Sequence, residues 1–180
     1  MNSITIITLQ SSLLLTLPAM ASVVQGPIVN PANGHSYSVL SPDTWLNNEA
    51  EATTLGGHLV TVNNAAENEW LASTFSNYGP FFIGITDQKT EGVFVWISGE
   101  KDLYRNWGFG EPNDNLGAED FGLLYSNFNG QWNDGRIDHI ANGIVEVVPE
   151  PERFAAAFGI ALLGTGIWLR RKKVQAVAAK

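Results

Sequence analysis

Cysteine is absent from all 180 residues. No disulfide can therefore hold this chain, and an exported form of it has only packing or bound metal to make up the loss. Basic residues are nearly as scarce over the central stretch. Between Ser22 and Glu150 four cations (Lys89, Lys101, Arg105, Arg136) stand against seventeen acids, leaving a formal charge of −13. Such a surface repels phosphates and excludes nucleic acid as a partner; cations and neutral ligands are favoured. Histidine is limited to His35, His58 and His139, scattered along the chain and read as surface or strand-end residues rather than catalytic ones. No internal repeat and no low-complexity run interrupts the pattern.

What is present reads as one domain between two processed ends. Residues 4–17, "ITIITLQSSLLLTL", are an apolar run followed by "PAMAS", whose Ala19 and Ala21 supply the small-residue pair of a signal-peptide cleavage site. The expected cut follows Ala21, although the first residues carry no Lys or Arg. At the other end, Phe154 to Leu169 is a 16-residue apolar run, about 24 Å as a helix, and Arg170 to Lys173 follow it at once. Those charges place that end in the cytoplasm if the segment inserts, with residues 174–180 as a cytoplasmic tail. The order "PEP", short span, basic cluster over Val148–Lys173 resembles the PEP-CTERM sorting tail of exopolysaccharide-producing Gram-negative bacteria. The resemblance implies transient anchoring in the inner membrane, then processing near Pro149-Glu150-Pro151 by an exosortase-type enzyme, which leaves the product extracellular or at the cell surface.

Between the ends, residues 22–35 read as a linker and residues 36–148 as an α+β domain. "SPDTWLNNEAEATTLGG" predicts a helix with Pro42 and Asp43 in its first turn and Gly56 as a left-handed stop. "NNAAENEWLASTF" predicts a second, with Asn64 and Glu67 spaced as a capping box. "SYSVL", "HLVTV", "FFIGIT", "VFVWI", "FGLLY" and "GIVEV" are rich in β-branched and aromatic residues and predict strands, and Asn129-Gly130 predicts a turn. Trp45, Trp70 and Trp96 sit at core spacings, while Glu49, Glu51, Glu67 and Glu69 read as solvated helix faces. The stretch from Gly99 to Glu119 has no periodicity, and a loop of that length in a compact domain is expected to be functional.

That loop carries the densest charge. "EPNDNLGAEDF", residues 111–121, holds Glu111, Asp114, Glu119 and Asp120 with two amides, between Trp107 and Trp132. Carboxylates this close raise one another's pKa unless a cation sits among them. "WND" (Trp132, Asn133, Asp134) and "GITDQKTEG" (Asp87, Glu91) offer more oxygen ligands. Calcium takes six to eight oxygens from carboxylates, amides and water, and neither His nor Cys joins these clusters, which favours calcium over zinc.

"LGGHLVTVNNAAENEWL", "FFIGITDQKTEG", "NWGFGEPNDNLGAED" and "WND" follow one another as in C-type lectin domains, and this chain resembles the mannose-binding type from about Ser36 to Val148. The resemblance implies a C-type lectin-like α+β fold of two helices, antiparallel sheets and a long calcium-binding loop. It implies a principal calcium site, where sugar binds, at Glu111, Asn113, Glu119, Asn133 and Asp134. It implies an auxiliary calcium site at Asp87, Glu91, Asp114, Glu119 and Asp120. It also implies a cis Glu111–Pro112 bond in the loaded state. Where the family places two disulfides, this chain has Ala52 with Val145 and Phe121 with Ile137, and each pair is expected in side-chain contact. The function implied is an exported, calcium-dependent binding module for mannose-, fucose- or N-acetylglucosamine-type sugars, not an enzyme. Two other readings remain open: an adhesion or matrix protein with purely structural calcium, and a glycosidase built on paired acids.

Overall fold

The computed structural model describes residues 23–101 and 104–149, so the signal-peptide and sorting-tail expectations lie outside the described residues. In chain order the elements are β1 (Val23–Val29), β2 (Ser36–Leu40), α1 (Trp45–Thr54), β3 (His58–Leu59), α2 (Ala65–Thr74) and β4 (Phe81–Thr86). After these come β5 (Val95–Trp96), β6 (Glu119–Tyr125), a 3-10 turn (Ser126–Phe128), β7 (Gln131–Arg136) and β8 (Asn142–Val147). The strands run in the order β1-β2-β8-β4-β6-β7, with β3 on β8 and β5 on β4. The sheet is mixed rather than purely antiparallel as expected, because β4 and β8 pair in parallel, Phe81 opposite Asn142.

Two strands depart from the sequence reading. β1 occupies the stretch read as a linker; it is mostly exposed and pairs only with β2, so it carries no alternating apolar signal. β7 contains the "WND" residues, and its Asn, Asp and Gly disguise a strand that pairs with β6 along its length. In return, "HLVTV" is strand only over its first two residues and "VFVWI" only over Val95–Trp96.

Helix α1 starts later than expected. Thr44 is its N-cap, its Oγ1 accepting from the Asn47 N–H at 3.3 Å, so Pro42 and Asp43 precede the helix. Asp43 instead forms a bridge with Ala141. Gly56 is left-handed, with φ of +83°, as the stop required. At α2 only half of the capping box forms. Asn64 accepts from the Glu67 N–H at 3.0 Å, but Glu67 Oε2 takes the Asn63 N–H and its Oε1 the Tyr37 hydroxyl at 2.6 Å.

Glu67 is therefore buried rather than solvated, and Glu51 in α1 is buried as well. Burial lifts the Glu67 carboxyl above its ordinary range and pushes the Tyr37 phenol well up, the latter reinforced by Glu146, which stands 3.0 Å from its oxygen. His35, just before β2, completes this network 2.6 Å from Glu146.

The main core gathers Tyr37, Val60, Leu71, Phe75, Phe81, Ile85 and Ile144 around Trp132. Trp132 meets Trp96, Tyr104 and Trp107 edge-on with ring centres 5.6–5.7 Å apart, and its indole N–H donates to Asn68 at 2.8 Å. That single side chain ties α2, the long loop and β7 together, and it immediately precedes two of the expected ligands.

The expected Ala52–Val145 contact is present in a small cluster with Leu40. The second pair behaves differently. Phe121 is fully buried and stacks on Trp45 at 4.8 Å, whereas Ile137 is 49% exposed. Phe121 has found its partner in α1, because an aromatic ring reaches further than a cysteine and gains more by meeting an indole.

Candidate functional site

The site lies where the long loop meets the β6–β7 edge. Backbone bonds pin the loop there. The Trp132 N–H donates to Asn106 at 2.8 Å, and the Gly108 N–H donates to Trp132 at 2.7 Å. The chain then turns through Gly110, with φ of +88°, a conformation open to glycine at little cost, and enters the cis Glu111–Pro112 bond.

Asp134, on β7 and 0% exposed, is the keystone. Its Oδ1 accepts from the Asn113 N–H at 3.1 Å and its Oδ2 from the Asp114 N–H at 2.7 Å. Glu111 accepts from the Asn113 side-chain amide at 2.5 Å. Glu119, at the start of β6, accepts from the Asn115 N–H at 2.9 Å, while its own N–H donates to Asp114 Oδ1 at 3.2 Å.

Glu111, Asn113, Glu119 and Asp134 are thus brought together. Burial raises the Glu111 carboxyl, followed by its contact with Asp134 and the charge of Glu119. Asn133 points its amide at the carbonyl of Asp134 but borders the same cavity as Glu111.

A second cluster forms where β4 ends. Asp87, Glu91 and Asp120 can each present an oxygen within 4.8 Å of the others. Asp87 is 2% exposed; its Oδ2 accepts from the Gly92 N–H at 2.9 Å, but its buried Oδ1 has no hydrogen-bond partner. A buried carboxylate oxygen without a donor costs about 1–3 kcal/mol, so this atom calls for a ligand. Desolvation, and after it neighbouring acids, raise both Asp87 and Glu91 above the usual range. Of the remaining residues expected at the auxiliary site, Asp114 acts on Glu91 through its charge but stands outside the trio, and Glu119 belongs to the first cluster. The donors of both clusters are all oxygens, so the residues fit calcium.

An open cavity of about 370 Å³ borders the first cluster, lined among others by Phe109, Glu111, Tyr125, Phe128, Gln131 and Asn133. Burial raises the Tyr125 phenol, and so does the charge of Glu111 and Glu119, which places the end of β6 beside the same acids. The sequence reading missed Tyr125, Phe128 and Gln131. The available signal was the pair Tyr125 and Phe128 just before the Asn129-Gly130 turn, which looks like core until Phe128 is seen at the surface.

Residues 41–139 match the family model of the lectin C-type domain, and with the fold above this chain belongs to that family. The perlucin-like protein of Mytilus galloprovincialis is 29% identical over 146 residues, covering 74% of this chain and 92% of that protein. Among solved structures, the C-type lectin CEL-I from Cucumaria echinata is 28% identical with a TM-score of 0.59, over 75% of this chain and 99% of that one. The carbohydrate-recognition domain of the mouse scavenger receptor C-type lectin is 29% identical with a TM-score of 0.59, over 64% and 92% of the two chains.

Proposed function

We propose that this chain is a calcium-dependent carbohydrate-binding module of the "EPN"/"WND" type, selective for mannose, fucose or N-acetylglucosamine over galactose. One observation carries the reading. Buried Asp134 holds the Asn113 and Asp114 backbone, so residues of two separate motifs form one cluster of oxygen ligands at the rim of an open cavity.

Glu111, Asn113, Glu119, Asn133 and Asp134 would hold calcium, which supplies open coordination positions for two vicinal sugar hydroxyls. Glu111 and Glu119 present acceptors to the hydroxyl protons; the amides of Asn113 and Asn133 donate to the hydroxyl oxygens. The clustered acids serve as ligands rather than as the acid–base pair of a hydrolase, making the chain a binding module and not an enzyme.

The order of carboxylate and amide selects the sugar. Exchanging Glu111→Gln with Asn113→Asp keeps the formal charge and transposes donor and acceptor. In calcium, the native chain is expected to be retained on immobilised mannose more strongly than on galactose, and the double exchange to weaken or invert that order. An unchanged order would reject this loop as the reader of sugar.

Acid should act in opposite directions with and without calcium. In the metal-free fold Asp87, Glu91 and Glu111 titrate above the ordinary carboxylate range, so the folded state takes up protons before the unfolded chain does. Their contribution to the stability of that form is therefore fully present below the unfolded values, near pH 4, and is lost as pH rises through the raised ones. Calcium keeps the same groups ionised and depresses their folded values, so the loaded form loses stability as pH falls. Glu49 and Glu67 are also raised, yet they lie outside both acid clusters, so the difference between the two melting series is the readout. Parallel slopes between pH 7 and pH 4 would exclude these carboxylates as calcium ligands.

A second reading draws on the Asp87–Glu91–Asp120 trio, which includes none of the residues proposed to hold sugar. Calcium there would order the loops of an adhesion protein without touching a glycan. Chelator-sensitive folding with no retention on any sugar is its signature.

The proposed setting is outside the cell, after export across the inner membrane and exosortase-type processing. Deleting residues 154–180 is expected to release the domain into the medium; a truncated chain still tightly bound to membrane would oppose that placement.

A further inference from the structure

The cavity beside Glu111 holds more than one sugar ring requires. Its volume of about 370 Å³ falls within the roughly 300–1,000 Å³ of small-molecule sites. Its lining joins Glu111 and Asn133 to four aromatic residues; Trp132 belongs to the core and Tyr125 packs against it, whereas Phe109 and Phe128 project from the surface. Phe109 is fully exposed on the loop and Phe128 is 59% exposed on the 3-10 turn. Tyr125 meets Phe128 edge-on at 6.2 Å, and Gln131 adds an amide able both to donate and to accept.

Both phenylalanines stand on turns anchored from below. Gly108 bonds to Trp132 just before Phe109, and Asn129 and Gly130, both with positive φ, close the turn after Phe128. A Cβ at Gly130 would fall 2.4 Å from the Asn68 amide, so the turn is seated against α2. Exposed aromatics on fixed turns, lining one cavity, mark a binding surface rather than a packing error.

We infer that this cavity is a second subsite, which takes the hexose ring next to the one held at Glu111 and Asn133, so that the ligand is an oligosaccharide rather than a single sugar. The inference rests on the proposed sugar site, because continuity with Glu111 and Asn133 identifies the occupant. A pyranose presents a face of C–H groups that matches the negative face of an aromatic ring, while its edge hydroxyls need a polar partner such as the Gln131 amide.

Calorimetry on the full-length chain in detergent and saturating calcium tests this, with methyl α-mannoside and the α1,2-, α1,3- and α1,6-linked mannobioses as probes. The best mannobiose should bind about tenfold more tightly than methyl mannoside. Phe109→Ala and Phe128→Ala should each remove most of that gain and leave the methyl mannoside affinity unchanged. Equal affinity of the native chain for all four probes overturns the subsite and leaves the sugar site standing, as does an equal loss for both ligand sizes in the variants. A gain for octyl mannoside without one for any disaccharide overturns it in favour of an apolar aglycone. If no probe binds in a calcium-dependent way, the sugar site itself fails and the subsite falls with it.

Discussion

Asp134→Asn is expected to abolish calcium-dependent retention on immobilised mannose and to lower the melting temperature in the same preparation. The substitution keeps the size and shape of the side chain, so packing is preserved. It replaces one carboxylate oxygen with an NH₂ that must then face a backbone N–H, of Asn113 or of Asp114, at present bonded at 3.1 or 2.7 Å. Because Asp134 is 0% exposed, no water can take the place of the lost acceptor. A hydrogen bond to a charged group contributes about 1.5–3 kcal/mol, and the buried donor left unmade adds its own penalty.

The loop bearing Glu111 and Asn113 would then leave β7, and retention should fall by about 100-fold or more. Asp138→Asn is the matched control. Asp138 is exposed and pairs only with Arg136 at 3.2 Å, a surface contact of little energetic weight. Its variant should bind and melt like the native chain. An Asp134→Asn protein that still elutes from mannose only with chelator would remove Asp134 from the site.

Phe121→Ala should be among the most damaging single changes to the fold, costing about 3–5 kcal/mol in denaturant unfolding. Its ring is fully buried, stacked on Trp45 with 28° between the planes, and its backbone lies between Thr86 of β4 and Gly135 of β7. The cavity left behind cannot collapse, because β6 is held on both sides by strand hydrogen bonds. Phe121→Leu should recover part of the loss by refilling some of that volume, whereas Ile137→Ala, on a half-exposed side chain, should cost far less. Equal effects of the two alanine substitutions would mean that Phe121 and Ile137 share one packing unit, as a disulfide at these positions would have implied.

Much of the site was legible because its chemistry is local. Glu111, Asp114, Glu119 and Asp120 fall within ten residues with Asn113 among them, and carboxylates so close in sequence must either repel or share a cation. The strands of alternating or continuous apolar residues were legible for a similar reason, since a buried strand can hardly be written in other residue types. β4, buried at all six positions, is the clearest case. β7 was illegible as a strand because the residues proposed as calcium ligands occupy its positions. Asn133, Asp134 and Gly135 have low strand propensity, and cross-strand bonds to β6 with the packing of Trp132 overrule it.

Glu67 was misread for the opposite reason. A glutamate on an amphipathic helix is ordinarily solvated, and the arrival of Tyr37 from β2, the Asn63 backbone and the Asn33 amide makes its burial tolerable. The Phe121 partner was likewise a matter of three dimensions. A correspondence of sequence positions indicates which backbones approach, but the ring follows the largest apolar surface within reach, and that surface is Trp45.

By itself, then, the chain of residues determined the class of fold, the absence of any disulfide, and the acid-rich loop as the candidate functional segment, because composition and short-range spacing suffice for each. Only the tertiary structure decided that Asp134 is the joint between the two candidate motifs, that Asp87 keeps an oxygen without a donor among the described residues, and that Phe109 and Phe128 border one cavity with Glu111. Each of these depends on segments about twenty or more residues apart meeting at one point. Where they meet is set by the register of β6 against β7 and the seating of Trp132, neither of which a local pattern encodes.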